Sequence, residues 1–246
     1  MLNEPTATKL AHMRLQGMLD AWKEQQASAD TGQLSFDERF ALLVDAEDLY
    51  RENRRLQRYL REAKLKISGA CIEDINYATG RHLDRARIRE LASCRWIAER
   101  QNVTITGATG VGKTYLACAL AQQACRRGHR AVYRRASRFF DELTLARADG
   151  TYERLLSRLC RIDLLVIDDW GLTPMKAQER RDLLEVLEDR YAARSTIITG
   201  QIPTTNWHEH IGEPTLADAI CDRVLHNAHK ILLKGPSRRK EKKTTT

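Results

Sequence analysis

The chain has 246 residues, of which 42% are hydrophobic and 30% charged, and its formal net charge is +8. This is the composition of a folded globular protein, and the length allows one α/β domain with a smaller appendage. No apolar run approaches the ~20 residues that a bilayer requires, and the first residues lack the apolar core of a secretory signal. We therefore expect a cytoplasmic protein without a membrane partner, and the positive charge favours a polyanionic one.

The N-terminal part of the chain is predicted to be helical. Apolar residues recur at three- and four-residue spacing from Ala11 to Trp22. Ser35 is followed three residues later by Glu38, which is the pattern of a capping box and predicts a second helix beginning there. We assign residues 1–67 to a helical N-terminal domain that binds DNA or a partner.

Four arginines of this domain repeat at helical spacing, so that they lie on one stripe of the second helix. They are Arg51, Arg54, Arg55 and Arg58. Like charges at this distance repel, and a phosphate backbone would offset the repulsion. We predict that these arginines contact DNA; a solvated or protein-docking face is the alternative.

Beyond residue 100 short apolar runs alternate with longer helical stretches. The predicted strands are Val103–Thr106, Arg130–Tyr133, Asp163–Asp168, Ser195–Gly200 and Lys230–Lys234. Such alternation predicts an α/β fold in which a parallel sheet is covered on both faces. We assign residues 68–234 to this domain with its connector, and residues 235–246 to a basic tail without regular structure.

A phosphate-binding loop follows the first predicted strand. Residues 107–114 read Gly-Ala-Thr-Gly-Val-Gly-Lys-Thr, which matches GxxxxGK[ST] at every fixed position. Gly107 and Gly112 allow the backbone amides to turn inward, and the following helix adds the positive end of its dipole. Lys113 is predicted to reach the β- and γ-phosphates of ATP, and Thr114 to ligate Mg²⁺. The predicted nucleotide contacts are Gly107, Ala108, Thr109, Gly110, Val111, Gly112, Lys113, Thr114 and Tyr115.

The third predicted strand ends in two carboxylates. Leu164–Ile167 is an apolar run followed by Asp168 and Asp169. In parallel α/β sheets ligands bind at the carboxyl ends of the strands, so this fits a Walker B strand. Asp168 is predicted to hold Mg²⁺ through its water shell, and Asp169 to orient the attacking water. Asp169 is one methylene shorter than the glutamate common at this place, which predicts slow turnover.

Three further positions complete the predicted site. The fourth strand ends at Thr199, Gly200 and Gln201, and either Thr199 or Gln201 is predicted to reach between the acidic pair and the γ-phosphate. Arg223 lies in a predicted helix over Ala217–His229 and is expected to enter a neighbouring subunit's site, with a helix-surface ion pair as the alternative. Arg238 is a candidate nucleotide contact that could equally begin the tail.

In this order, the P-loop, the Asp168-Asp169-Trp170-Gly171-Leu172 run, Thr199-Gly200-Gln201-Ile202-Pro203 and Asp222-Arg223 resemble the IstB family of AAA+ ATPases. These are transposition helpers encoded beside a transposase, and they are similar to the DnaC helicase loaders and more distantly to DnaA. The resemblance covers nearly the whole chain. It implies a RecA-like AAA+ P-loop domain preceded by a small helical N-terminal domain.

The resemblance further implies a homo-oligomer that binds duplex DNA and assists a partner transposase. In this group an extra helix after the second strand lines the DNA path, which here implies contacts from Arg134, Arg135 and Arg138; an exposed loop face is the alternative. Tyr133, which precedes these arginines, is interpreted as a core residue, with base stacking as the alternative.

Three other functions stay open on sequence alone. A replicative helicase loader would use the same nucleotide site with a different partner. A P-loop kinase for a small molecule would need an acceptor pocket, and the basic stretches argue against it. A DNA-binding scaffold with negligible hydrolysis is compatible with Asp169 in place of glutamate.

Overall fold

The computed structural model describes residues 3–28, 33–77 and 83–237. Eleven α-helices are present in these ranges, with the bounds that follow. They are α1 (Asn3–His12), α2 (Gln16–Ala27), α3 (Phe36–Ala63), α4 (Arg85–Ala92), α5 (Arg95–Ala98), α6 (Lys113–Arg126), α7 (Ala136–Ala148), α8 (Tyr152–Cys160), α9 (Ala177–Arg190), α10 (Trp207–Ile211) and α11 (Pro214–Leu225). The strands are β1 (Asn102–Gly107), β2 (Ala131–Arg135), β3 (Leu164–Trp170), β4 (Ser195–Gly200) and β5 (Ala228–Leu233).

The chain divides into two compact units, Met1–Arg58 and Tyr59–Thr246. The division falls inside α3, which continues to Ala63, whereas the sequence suggested a boundary after residue 67. Of the residues that the structure describes, none belongs to a helix long and apolar enough to cross a membrane.

The first unit is built from α1, α2 and most of α3. The capping box is confirmed, because the Ser35 amide donates to Glu38 Oε2 at 2.8 Å and the Glu38 amide donates to Ser35 Oγ at 3.3 Å. Helices α2 and α3 approach closely at Gly17, where a Cβ would lie 2.5 Å from the Ala46 carbonyl oxygen. A glycine is required here because any side chain would push the two helices apart.

The second unit contains a five-stranded parallel sheet in the order β2-β3-β4-β1-β5. Every residue of β1 and β4 is buried, as expected for central strands covered on both faces. Leu165 and Ile167 of β3 face a core that includes residues of α7 to α11. The alternate residues, ending at Asp168, face α6.

One predicted element ends earlier than expected. The helix predicted over Ala217–His229 runs from Pro214 to Leu225, and Ala228–Leu233 forms β5. The prediction failed at this end because Ala228 and His229 pair with Asn102 and Val103 of β1, so the sheet and not helix propensity decides their conformation. At the other end, the Glu213 side chain caps the helix by accepting from the Leu216 amide at 2.7 Å.

Candidate nucleotide-binding site

The phosphate-binding loop connects β1 to α6, as the sequence predicted. Its first glycine, Gly107, has φ +146°, and a Cβ there would lie 2.2 Å from the Leu233 carbonyl oxygen at the end of β5. Gly112 has φ +104° and immediately precedes α6. Both glycines are therefore required by the local backbone, and the loop presents the N-terminus of a 14-residue helix to a bound anion.

The lysine of the loop is buried and held by the loop itself. Lys113 Nζ donates to the carbonyl oxygens of Gly107 and Ala108, both at 2.8 Å. These contacts place the ammonium group inside the loop, where backbone amides and the helix dipole also favour negative charge.

Asp168 is the centre of a hydroxyl cluster at the carboxyl end of β3. Its side chain is fully buried. It accepts hydrogen bonds from three hydroxyls: Thr114 Oγ1 at 3.0 and 3.1 Å, Tyr133 OH at 2.5 Å and Thr199 Oγ1 at 2.5 Å. Lys66 Nζ lies 4.0 Å from Asp168 Oδ2. The carboxylate is thus fixed from four directions by residues of different elements.

The pair formed by Thr114 and Asp168 fits a Mg²⁺ site. Thr114 Oγ1 lies 3.0 and 3.1 Å from the two Asp168 oxygens. Hydroxyl and carboxylate oxygens are the ligands that Mg²⁺ takes beside phosphates, directly or through its water molecules. Mg²⁺ bound there would neutralise charge that develops on the β- and γ-phosphates.

Asp169 turns toward the same side as Asp168, although consecutive strand residues normally alternate. The register between β3 and β4 shifts between Ile167 and Trp170, and Asp169 adopts φ +59°, a left-handed conformation that aspartate tolerates. As a result Lys66 Nζ lies 3.9 Å from Asp169 Oδ2 and 4.0 Å from Asp168 Oδ2. Arg135 Nε forms a closer ion pair with Asp169 Oδ2, at 3.1 Å.

The two candidates at the end of β4 occupy different positions. Thr199 is fully buried, donates to Asp168 and accepts from the Asp169 amide at 3.2 Å. Gln201 is exposed and, together with Asp169, lines a cavity over the P-loop, the nucleotide cavity. Thr199 therefore links the Asp168 side chain to the Asp169 main chain, whereas Gln201 has access to a bound phosphate.

A cavity of about 360 Å³ opens over the P-loop. Residues from Thr109 to Leu116 form one wall, and Asp169 and Gln201 form the phosphate end. An apolar wall that the sequence did not reveal comes from Ile67, Ile75 and Leu83, with Asn76 beside them. These residues have no motif of their own and precede the P-loop, so only the folded chain brings them to the site. An apolar wall of this kind suits a nucleobase.

Tyr133 is a further site residue that the sequence did not assign. Burial raises the pKa of Tyr133, and the hydrogen bond to Asp168 and the negative charge of that carboxylate raise it further. The hydroxyl therefore remains a proton donor to the carboxylate across the physiological pH range. A tyrosine in an edge strand is typical of core packing, and only the pairing of β2 with β3 places it beside Asp168.

Arg223 of α11 lies near the amino end of β1, whereas the P-loop follows its carboxyl end. Its backbone carbonyl accepts from Asn102 Nδ2 at 3.1 Å, and Asn102 begins the strand whose other end carries the P-loop. At about 3.3 Å per residue, that strand separates the two places by about 17 Å. The guanidinium contacts Asp222 at 2.7 Å and lies 4.6 Å from the centre of the Tyr191 ring. The Arg223 guanidinium therefore does not reach the phosphate-binding loop of its own chain.

The C-terminal stretch approaches the loop at one point. A Cβ on Gly110 would lie 2.1 Å from Ser237 Oγ, so Ser237 packs directly against the phosphate-binding loop. Arg238, a predicted nucleotide contact, lies outside the described residues, as does the remainder of the predicted tail.

The predicted DNA-contacting arginines fall into two groups. In the first unit Arg51 pairs with Glu47 at 2.6 Å and Arg55 with Glu52 at 3.5 Å, while Arg54 lies over the Tyr50 ring. The side chains of all four arginines, Arg58 included, are exposed on α3.

The second group borders a basic cavity of about 570 Å³ beside the nucleotide site. Its lining residues are Lys64, Lys66, Tyr133, Arg134, Arg135, Arg138 and Glu142. Arg134 is engaged by Glu142 at 2.7 Å, and its side chain is only 17% exposed, so its charge is partly neutralised. Arg135 and Arg138 are exposed. This cavity adjoins the acidic pair through Arg135 and Lys66.

The fold and the site define a P-loop ATP-binding protein of the AAA+ class. The crystal structure of DnaI superposes with a TM-score of 0.58 at 22% identity, covering 74% of this chain and 93% of that one. The crystal structure of the DnaC helicase loader gives a TM-score of 0.54 at 18% identity, covering 72% of this chain and 99% of that one. These likenesses establish the fold.

The family follows from sequence comparison. The sequence model of the family described as IstB-like ATP binding protein matches residues 8–246. An insertion sequence ATP-binding protein of Sinorhizobium fredii, y4pL, is 48% identical over 243 residues, which cover 99% of this chain and 99% of the relative. The chain therefore belongs to the IstB-like ATP-binding proteins, and the predicted resemblance is confirmed.

Proposed function

We propose that this chain is a Mg²⁺-dependent ATPase that binds duplex DNA, assembles into a homo-oligomer on it and assists the transposase of an insertion sequence. The ATP-binding part follows from the family. Hydrolysis is supported by the arrangement at the carboxyl ends of β3 and β4, where Asp168 contacts Thr114 and Asp169 faces the nucleotide cavity. Asp168 with Thr114 holds Mg²⁺, and Asp169 orients water for attack on the γ-phosphate.

One observation carries the DNA-binding part of the proposal. The basic cavity that contains Arg135 and Arg138 lies directly beside the acidic pair, with Lys66 Nζ within 4.0 Å of both carboxylates. Concentrated cationic side chains bind the phosphate backbone without regard to sequence, and they do so in a salt-dependent way. A polyanion bound there would lie next to the hydrolytic centre.

Assembly into an oligomer is supported by Arg223. Its backbone contacts Asn102, which about 17 Å of strand separates from the phosphate loop, and 32% of its side chain is accessible. An arginine supplied by a neighbouring subunit stabilises transition-state charge in many nucleotide hydrolases. We therefore assign Arg223 to the site of the adjacent protomer.

The transposase partner is inferred from the relatives, several of which are named as ATP-binding proteins of insertion sequences. A helicase-loading role rests on the fold likeness to DnaC alone, and the family membership argues against a small-molecule kinase. Adding the cognate transposase and, in a second assay, the replicative helicase distinguishes the two candidate partners, because only the true partner should raise ATP turnover on DNA.

The test is ATP hydrolysis by the purified chain, titrated with duplex DNA at low and at high salt. We expect duplex DNA to raise the rate several-fold and the effect to fade as salt rises. Lys113→Ala serves as the control without nucleotide binding. A rate that duplex DNA leaves unchanged at low salt would refute the DNA-stimulated ATPase.

A further inference from the structure

The side chain of Asn102 holds the C-terminal end of the helix that carries Arg223. Asn102 is the first residue of β1 and is only 7% exposed. Its Nδ2 donates to the carbonyl oxygens of Arg223 at 3.1 Å and Val224 at 3.2 Å. The last four carbonyls of a helix lack donors within the helix, so this one amide group satisfies two of them at the end of α11.

The same side chain ties this helix end to the sheet. Asn102 Oδ1 accepts from the Thr196 amide at 2.9 Å, near the start of β4. The P-loop follows the carboxyl end of β1, and Thr199 lies near the carboxyl end of β4. Asn102 thus joins the arginine-bearing helix to both strands that lead to the nucleotide site of its own chain.

A second asparagine completes the contact. Asn227 lies between α11 and β5, and its Oδ1 accepts from Asn102 Nδ2 at 3.2 Å. Asn227 Nδ2 in turn donates to the Arg100 carbonyl oxygen at 3.1 Å. Both polar atoms of the Asn102 side chain are therefore engaged, and a buried polar group whose hydrogen bonds are all formed is held in one orientation.

The strand alone does not account for an asparagine at this position. The four residues that follow in β1, Val103–Thr106, are all β-branched, as suits a strand, whereas asparagine is depleted in strands. A β-branched side chain at position 102 would leave the carbonyls at the end of α11 without this donor. The asparagine therefore serves the helix end rather than the strand.

The guanidinium of Arg223 is oriented by other contacts. It pairs with Asp222 at 2.7 Å and lies 4.6 Å from the centre of the Tyr191 ring. These neighbours direct the side chain, while Asn102 fixes the backbone from which it extends. Placement matters for a charge that is supplied to a reacting phosphate, since a displacement of about 1 Å can lower a rate about 100-fold.

We propose that Asn102 is a positioning residue that fixes Arg223 for the nucleotide site of the neighbouring protomer. This rests on the proposed function, because it requires that Arg223 acts in trans. Asn102 lies at the opposite end of β1 from the P-loop and acts through the backbone of α11. A substitution at Asn102 should therefore impair the neighbour's site and spare the site of its own chain.

Mixed assemblies separate these two sites. The arginine-giving chain carries Lys113→Ala and contributes Arg223, and the site-giving chain carries Arg223→Ala and contributes the phosphate loop. ATP hydrolysis by the mixture reports on Arg223 of the first chain in the site of the second. Asn102→Ala in the arginine-giving chain should lower this rate about 10- to 100-fold. The same substitution in the site-giving chain should leave the rate unchanged.

Ser195→Ala is the matched control. It removes another buried polar group at the amino end of the sheet, but Ser195 Oγ contacts the Trp96 carbonyl, at 3.4 Å, and not α11. In either chain it should leave the rate unchanged. ADP titration of Asn102→Ala in an otherwise wild-type chain should give the wild-type affinity, which shows that the fold and the phosphate loop are retained.

Asn227→Ala is a second, milder variant. It removes one acceptor of the Asn102 amide and leaves both helix carbonyls in contact with that amide. A smaller loss is expected from the arginine-giving chain and none from the site-giving chain, so the test remains decisive if Asn102→Ala does not fold. A larger loss from Asn227→Ala than from Asn102→Ala would place the effect in the turn after α11 and refute the role of Asn102.

The outcomes distinguish this inference from the proposed function. If Asn102→Ala lowers the rate equally from both chains, it loosens β1 as a whole, and the positioning role is refuted while the trans role of Arg223 stands. A rate that Asn102→Ala leaves unchanged in the arginine-giving chain refutes it in the same way. If mixtures with intact Asn102 assemble but regain no activity, the trans role of Arg223 falls and this inference falls with it.

Discussion

The hydroxyl of Tyr133 donates a 2.5 Å hydrogen bond to Asp168, across the pairing of β2 with β3. This contact makes an edge-strand tyrosine part of the proposed Mg²⁺ site. Asp168 is fully buried, and a buried polar group needs hydrogen-bond partners to offset its loss of water. The carboxylate proposed to hold the metal is thus oriented by a neighbour that no nucleotide-binding motif contains.

Tyr133→Phe should weaken Mg²⁺-dependent nucleotide binding about tenfold, the usual effect of losing an outer contact to a metal ligand. ADP affinity is measured with Mg²⁺ and with EDTA, and only the Mg²⁺ value should fall. Tyr152→Phe is the control, because its buried hydroxyl contacts Glu185 and not the site. Equal ADP affinities for Tyr133→Phe and wild type in Mg²⁺ would contradict the assignment.

Asp169→Asn should reduce ATP turnover about 100-fold or more, because the amide cannot accept a proton from the attacking water. ADP binding should stay within a few-fold of wild type, because Asp168 and Thr114 still form the Mg²⁺ site. Steady-state hydrolysis and ADP titration together check this. If turnover stays near the wild-type rate, another residue orients the water.

Arg223→Ala should retain ATP binding and lose turnover about 1,000-fold or more, the range known for arginines supplied in trans. Lys113→Ala should bind no nucleotide but still carries Arg223. Mixing the two inactive variants should restore activity, because one contributes an intact phosphate loop and the other an intact Arg223. No recovery in mixtures that still assemble would leave Arg223 as a surface ion pair.

Arg190→Ala should lower the free energy of unfolding by on the order of 3 kcal/mol, because several buried acceptors lose their donor at once. The guanidinium is 1% exposed and bonds the carbonyl oxygens of Leu159, Ile162 and Ser195 and the Thr196 hydroxyl. Burial lowers the pKa of Arg190 to about 9. Chemical denaturation measures the change, with exposed Arg161→Ala as the control. A change of less than 1 kcal/mol, roughly that of a surface substitution, would contradict this role.

Arg138→Ala should weaken duplex binding and flatten its salt dependence by about 0.9 in log–log slope, as expected for one lost phosphate contact. Arg134→Ala should change the slope less, because Glu142 already pairs with Arg134 at 2.7 Å. Glu142 itself keeps its charge: burial acts to raise its pKa, but Arg134 and Arg158 together lower it. The two slopes are compared by anisotropy titration over a salt series. Equal slopes would show that the ion pair does not limit Arg134.

Much of the nucleotide site could be predicted because its signals are contiguous in the chain. Gly107–Thr114 is one loop between a strand and a helix, and the loop needs those residue types wherever it occurs. Leu164–Asp169 is likewise one strand whose apolar run shows that both faces are covered. The helix predicted over Ala217–His229 extends too far at its C-terminal end, because pairing with β1 overrides the local helix preference of Ala228 and His229.

The sequence by itself determined the parallel α/β class, the phosphate loop and the acidic pair, since each depends on local spacing and on the burial that an apolar run implies. Only the tertiary structure decided that Tyr133 and Thr199 donate hydrogen bonds to Asp168. It also decided that Asp169 departs from the alternation of strand side chains and pairs with Arg135. The distance of Arg223 from the phosphate loop of its own chain is likewise a result of the fold. These relations join residues distant in sequence through strand order and a register shift. Strand order is set by the packing of the whole domain, and no short stretch of sequence records it.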